Sequence, residues 1–183
     1  MLLGLDISTS STGWCLLNFD GTLVDIGYVP LGKIKDVFKK AQCVREIIVD
    51  LSSTHNITKV AVEENLQAFR PGFSSAKTLM SLARFNGIIS YICARDLDIN
   101  PEFINVNIAR KLLGLKINRA IEKTTKDQVL DWVSTQLSDT GFEWPVKKLK
   151  NGPRKGMIVL DKGCYDMSDA YVIARAFIEM NKQ

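Results

Sequence analysis

The sequence predicts an α/β fold: a mixed sheet with antiparallel N-terminal strands, flanked by helices. Three observations carry that expectation. The chain opens on three extended, apolar segments joined by short turns. From Ile34 the apolar period switches to that of a helix. A short β-branched run, Lys59-Val60-Ala61-Val62, then stands between two long helical stretches. At 183 residues, 46% of them hydrophobic, the chain buries roughly 70% of its unfolded surface, enough for one proper core. A single domain over residues 1–183 is expected.

The elements follow in order. Leu2 to Ile7, Trp14 to Phe19 and Thr22 to Val29 read as strands. Asp20-Gly21 is the dipeptide that supplies the positive φ angles of a tight hairpin turn, which makes the second and third strands antiparallel neighbours. Ile34, Val37, Phe38, Ala41, Val44, Ile47, Ile48 and Leu51 fall at helical spacing, with Lys33, Lys35, Lys39, Lys40 and Arg45 between them, so an amphipathic helix packs on the sheet. Thr58 to Glu63 reads as a buried central strand and Ser74 to Arg95 as a second long helix. A short extended piece follows around Phe103-Ile104. Asn105 to Leu113 and Lys126 to Leu137 read as helices, the first ended by Gly114 and the second capped at Thr124-Thr125. Residues 139–163 are broken by six Gly and Pro residues and hold Lys147, Lys148, Lys150, Arg154 and Lys155, which predicts a basic loop or flap. Tyr165 to Met180 closes the chain as a helix, with Met167, Ala170, Ile173, Ala174, Phe177 and Ile178 near one face.

Composition excludes several classes. Cys15, Cys43, Cys93 and Cys164 lie far apart without a C-x-x-C pair, and His55 is the only histidine, so a thiolate or imidazole zinc site is excluded. The same spacing argues for reduced thiols in a cytosol-like compartment. No basic n-region precedes the first apolar residues, and no stretch approaches the roughly 18 apolar residues of a membrane span. The net charge of +4, from 24 Lys and Arg against 20 Asp and Glu, permits a polyanionic partner without diagnosing one.

The residues that need explaining are acids in apolar company. Asp6 interrupts a buried strand, Glu63-Glu64 ends another, and Asp166 and Asp169 open the last helix as D-x-x-D. A carboxylate buried without a partner costs several kcal/mol, so each must be paired, protonated or bound to a cation. Asp166 and Asp169 share a helix face, with Cβ atoms roughly 5–6 Å apart; the plainer alternative is capping of the helix start. Asp6 has its own alternative, bonding the Ser8–Thr12 turn. Of Glu63 and Glu64 only one points toward Asp6, because adjacent strand residues face opposite sides, and periodicity leaves that choice open. Together these hard oxygen donors suit Mg²⁺ or Mn²⁺.

At this point the sequence resembles a known family. Leu3-Gly4-Leu5-Asp6-Ile7-Ser8 through Thr12-Gly13-Trp14, then Val60-Ala61-Val62-Glu63, then Asp166-Met167-Ser168-Asp169-Ala170 resemble the three acidic motifs of RuvC-type Holliday junction resolvases, in the ribonuclease H-like superfamily. Ser75-Ala76 through Leu82-Ala83-Arg84 and Gly87 is similar to the helix after the family's glutamate, and Thr125-Lys126-Asp127-Gln128-Val129 to its lysine-bearing helix. The 139–163 connection and the loop Asn65 to Phe73 depart from cellular members and look more like a phage-type branch. The resemblance implies a ribonuclease H-like nuclease domain and assigns Glu63, not Glu64, to the site. Asp6, Glu63, Asp166 and Asp169 would then hold two Mg²⁺ ions, for which Mn²⁺ substitutes, about 3.5–4 Å apart around a scissile phosphate. Lys126 would be the active-site lysine, offsetting charge on the phosphorane, or else a solvated surface lysine. The implied reaction resolves four-way DNA junctions to 5′-phosphate and 3′-hydroxyl ends. It implies a homodimer joined through the long helix from Ser74, in a bacterial or phage-infected host cytoplasm.

Charge distribution adds a surface for DNA. Between Asn107 and Lys126 lie Arg110, Lys111, Lys116, Arg119, Lys123 and Lys126 against Glu122 alone; with Lys147, Lys148, Lys150, Arg154 and Lys155 they form a phosphate-contacting surface or, more plainly, a solvated face. Phe69 and Phe73, flanking Arg70-Pro71-Gly72, are placed to stack on unpaired bases beside the site or to plug the core. Three other functions stand against the resolvase. One is an ATP-handling actin or sugar-kinase type, since Gly4 to Gly13 also resembles that phosphate loop. The second is a non-catalytic junction binder, and the third a broader nuclease for flaps, Y-junctions and forks.

Overall fold

A computed structural model describes residues 1–64 and 75–182, and among these lie seven strands and five α-helices. In chain order they are β1 (Leu2–Ile7), β2 (Ser11–Leu17), β3 (Leu23–Pro30), α1 (Val37–Thr54), β4 (Lys59–Glu63), α2 (Ala76–Leu97) and β5 (Glu102–Ile104). There follow α3 (Val106–Leu112), α4 (Thr125–Gln136), β6 (Val146–Lys148), β7 (Ile158–Leu160) and α5 (Gly163–Met180). The main sheet runs β3-β2-β1-β4-β5. β1 is antiparallel to β2 and parallel to β4, giving the mixed sheet with antiparallel N-terminal strands that the sequence predicts.

Side-chain alternation splits the core into two layers. Leu3, Leu5, Ile7, Leu16, Val60 and Val62 face α1 and α2, where they meet Val44, Ile48, Phe85 and Ile89. Leu2, Cys15, Leu17, Ala61 and Ile104 face the other way, against α3, α4 and α5. α5 is the central helix of that second layer: 13 of its 18 residues are buried, more than the single apolar face that the sequence period suggests. Its close approach requires glycines in the strands beneath. A Cβ on Gly4 would stand 2.7 Å from that of Ala174, and one on Gly13 would meet the Asp166 carbonyl oxygen at 2.0 Å. Glycine at position 13 therefore lets the start of α5 lie directly on β2.

Two expectations are corrected. Asp20-Gly21 does not form a two-residue turn: β2 ends at Leu17 and β3 begins at Leu23, and of the two only Gly21 has a positive φ, +93°. Asp20 instead bonds forward, its Oδ1 accepting from the Thr22 amide at 2.8 Å, which builds a wider loop while keeping β2 and β3 antiparallel. Residues 139–163 are not wholly loop, because Val146–Lys148 pairs with Ile158–Leu160 as a separate two-stranded hairpin. Among the described residues no helix is long and apolar enough to cross a membrane.

Candidate active site

β1 and β4 run parallel with Leu5 beside Val62, so one step further brings Asp6 beside Glu63 at the ends of both strands. Each lies two residues beyond a residue facing α5, Gly4 and Ala61, so both point to the α5 side of the sheet. Their carboxyls lie close enough to act on each other's ionisation. Glu64 lies past the strand end. Its amide donates to the Ile104 carbonyl at 2.9 Å and its carboxylate accepts from Asn105 Nδ2 at 3.3 Å. The choice left open by periodicity is thus resolved in geometry: Glu63 shares a face with Asp6, and Glu64 binds at the β5–α3 junction.

The third side of the cluster is the first turns of α5, seated over Gly13 on β2. Asp166 and Asp169 both sit near the strand acids, and the charges of Glu63, Asp169 and Asp166 all act on Asp6. Neither helix aspartate caps the helix. Its start is closed by Asp161, whose Oδ1 accepts from the Gly163 amide at 2.9 Å. The turn after β1 is closed without Asp6 as well, by the Ser8 hydroxyl, which donates to the Ser11 carbonyl at 2.7 Å. Side-chain capping therefore does not account for these acids, although Asp166 stands in the first turn of α5, where the helix dipole favours an anion.

Burial is the largest influence on the cluster. It pushes the Asp6 carboxyl well above the ordinary range, helped by the charges of Glu63, Asp169 and Asp166. Burial also raises Glu63 and Asp169, although Arg110 and Lys126 pull both the other way. A group of acids that resists ionising is one short of positive charge.

The chain itself supplies two cations. Arg110 of α3 places Nη2 3.1 Å from Asp169 Oδ1, and Lys126, in the first turn of α4, places Nζ 3.8 Å from Asp166 Oδ1. The Lys126 ammonium also stands 5.9 Å from the centroid of the Tyr165 ring. Tyr165 in turn donates its hydroxyl to Asp127 Oδ1 at 2.7 Å, while the other oxygen of Asp127 accepts from the Thr124 amide in a capping box. The start of α4 is thereby tied to the start of α5, which fixes the lysine beside the aspartates.

In kind, this donor set fits a hard divalent cation: four carboxylates, no thiolate or imidazole, and an unmet demand for positive charge. Among the described residues, however, no three such side chains stand as they are in an arrangement that holds a metal ion. The reason is visible in their partners. Asp169 is engaged by Arg110, and Asp166 by Lys126.

The basic residues divide into three groups. Arg110, Lys111, Lys116 and Arg119 line one cavity of about 410 Å³ between α3 and the start of α4. Lys148, Lys150, Arg154 and Lys155 are exposed on the β6–β7 hairpin and its connection, whereas Lys147 pairs with Asp161 at 3.3 Å and Lys123 with Asp131 at 2.5 Å. Phe69, Arg70 and Phe73 lie outside the described residues. Sequence reasoning placed Arg110 on the DNA-facing surface, but its guanidinium turns inward to Asp169. Its spacing carried a signal: Arg110 precedes Leu113, which packs on the core, by three residues, so the two share a side of α3. The Tyr165–Asp127 link had no comparable signal.

Comparison with solved structures shows the fold. Thermus thermophilus RuvC in complex with a Holliday junction substrate superposes with a TM-score of 0.65 at 14% identity, covering 99% of this chain and 94% of that one. The yeast mitochondrial Holliday junction resolvase gives 0.57 at 13% identity, covering 99% and 78%. The class is therefore an α/β domain with the fold of these structures, whose acids gather where β1, β4 and α5 meet. No protein-family model matches the chain. The chain is also similar in sequence to two curated crossover junction endodeoxyribonucleases. It is 26% identical over 151 residues to the crossover junction endodeoxyribonuclease RuvC of Sulfurovum sp., covering 81% of this chain and 86% of the relative. It is 29% identical over 119 residues to that of Wolinella succinogenes, covering 62% and 68%.

Proposed function

We propose that the chain is a structure-selective DNA endonuclease that resolves four-way junctions by hydrolysing phosphodiester bonds, leaving 5′-phosphate and 3′-hydroxyl ends. One observation carries the reading: Asp6, Glu63, Asp166 and Asp169 converge from two strands and a helix in a chain similar in sequence to crossover junction endodeoxyribonucleases. These four side chains would hold divalent metal, Mg²⁺ with Mn²⁺ as substitute and two ions per site, which supplies the attacking hydroxide and stabilises the leaving 3′ oxygen. Lys126 lies over Tyr165 beside Asp166, where a compact cation offsets charge gathering on the phosphorane. The cavity lined by Arg110, Lys111, Lys116 and Arg119 receives backbone phosphates next to the scissile one, and Lys148, Lys150, Arg154 and Lys155 on the hairpin hold a neighbouring arm.

Junction resolution needs two cuts, so the working form is a homodimer with one site per protomer. The surface of α2 supports this, since Met80 and Tyr91 are 73% and 62% exposed on it, with Phe38 of α1 exposed beside them. Such an enzyme works in the cytoplasm of a bacterial or phage-infected host cell. The test is cleavage of matched four-way, three-way, flap and linear DNA in Mg²⁺, with products mapped on each strand. Symmetric paired cuts in the four-way substrate alone are expected. Equal cutting of flaps and three-way forms would instead make the chain a general branched-DNA nuclease, and no cutting would refute the nuclease reading.

A further inference from the structure

Arg110 is the less exposed of the two cations beside the acids. Its side chain is 18% exposed and that of its partner Asp169 10% exposed, against 59% for Lys126. One guanidinium nitrogen bonds Asp169, but Nε is buried and has no hydrogen-bond partner. A buried donor left unmet is costly, so the guanidinium is held at Asp169 by charge rather than by a complete set of bonds. Beside it opens the cavity shared with Lys111, Lys116 and Arg119, which Arg110 itself lines. A side-chain rotation alone gives it somewhere to go while α3 stays in place.

We infer that Arg110 is an internal counter-cation for the acidic site: it occupies Asp169 when no divalent ion is bound, and a divalent ion takes that carboxylate only by displacing it. The inference rests on the reading of the four acids as metal ligands. Two positive charges do not share one largely buried carboxylate oxygen without repulsion, so metal and guanidinium compete. Arg110 therefore sets the concentration at which metal loads, and the displaced guanidinium becomes available to a phosphate in the cavity.

The test is Mn²⁺ binding to the full chain without DNA, read by calorimetry and by the spectroscopic signal of free Mn²⁺, with circular dichroism reporting the fold. Arg110→Met is expected to bind Mn²⁺ about tenfold more tightly than the wild type, the scale of one charge-assisted contact between largely buried partners. Arg110→Lys, which keeps a cation, should stay within about threefold of the wild type. Lys162→Met removes a charge one turn before Asp166, at a residue with no part in the site, and should change affinity less than about twofold; an effect as large as that of Arg110→Met would reduce the result to bulk charge and overturn the inference. Unchanged or weaker binding in Arg110→Met, with binding still lost in Asp169→Asn, overturns the counter-cation while the metal site stands. If the wild type and Arg110→Met both fail to bind Mn²⁺ at millimolar concentration, the ligand assignment falls and the inference with it. Should Arg110→Met not fold, Arg110→Gln carries the same expectation.

Discussion

Glu63 and Glu64 are consecutive and chemically identical, yet one stands beside Asp6 and the other bonds Asn105. Glu63→Gln is therefore expected to lower cleavage by about 10³-fold or more, the loss of a ligand at the reacting phosphate, and Glu64→Gln to leave it within a few-fold. The reverse pattern in steady-state rates would reassign the glutamate. Asp6→Asn and Asp169→Asn should likewise abolish cleavage while junction binding, followed by gel shift, stays within a few-fold. The raised carboxyls also fix how stability depends on pH. Asp6, Glu63 and Asp169 bind protons more tightly in the folded chain than in the unfolded one. Their stabilisation is then complete below the unfolded values, 3.8 for Asp and 4.5 for Glu, and is lost as pH rises through the higher folded values. Metal-free protein in EDTA should accordingly melt at higher temperature near about pH 5 than near about pH 8, and Asp6→Asn should flatten that slope. Below this window the opposite sign takes over, since Asp161 and Asp127 are held low by hydrogen bonds that protonation would remove.

Elements were legible where their period had room to repeat. α1 and α2 extend over several turns, and β1 and β4 read as buried strands because β-branched and leucine side chains fill both faces. The β6–β7 hairpin was not legible, because strands of three residues with Val146, Ile158 and Leu160 exposed leave no alternation to detect. The acids were legible as residue types out of place, but the choice of Glu63 depends on strand register, and the inward turn of Arg110 on the packing of α3 against α5. Both are tertiary facts. The seat of α5 on β2 gives a prediction at this scale. Gly13→Ala forces apart a contact of 2.0 Å between its new Cβ and the Asp166 carbonyl oxygen. It should cost about 1–3 kcal/mol in urea unfolding, and it should lower cleavage as well, because the displaced backbone carries Asp166. Wild-type stability with wild-type cleavage would show that the helix start is not seated there.

For the whole molecule, the net charge of +4 averages an acidic site with a basic cavity and a basic hairpin around it. The opposite face holds a groove of about 690 Å³ between α1 and α2, lined by Phe38, Ile88 and Tyr91 among others, where the proposed dimer forms. Tyr91→Asp should shift the protein to monomer in analytical ultracentrifugation and reduce paired cutting of a four-way junction, leaving metal binding within about twofold; an unshifted sedimentation coefficient would move the interface elsewhere. The order of elements along the chain has one more consequence. β1, the first strand, and α5, the last helix, meet at the acidic face, so Asp6 and Glu63 have no helix aspartates beside them until Asp169 has been synthesised and α5 has docked. A nascent chain in which α5 has not yet docked carries half of the proposed site. The proposed hydrolysis of nucleic acid is thus withheld until the helix that completes the acidic face has formed.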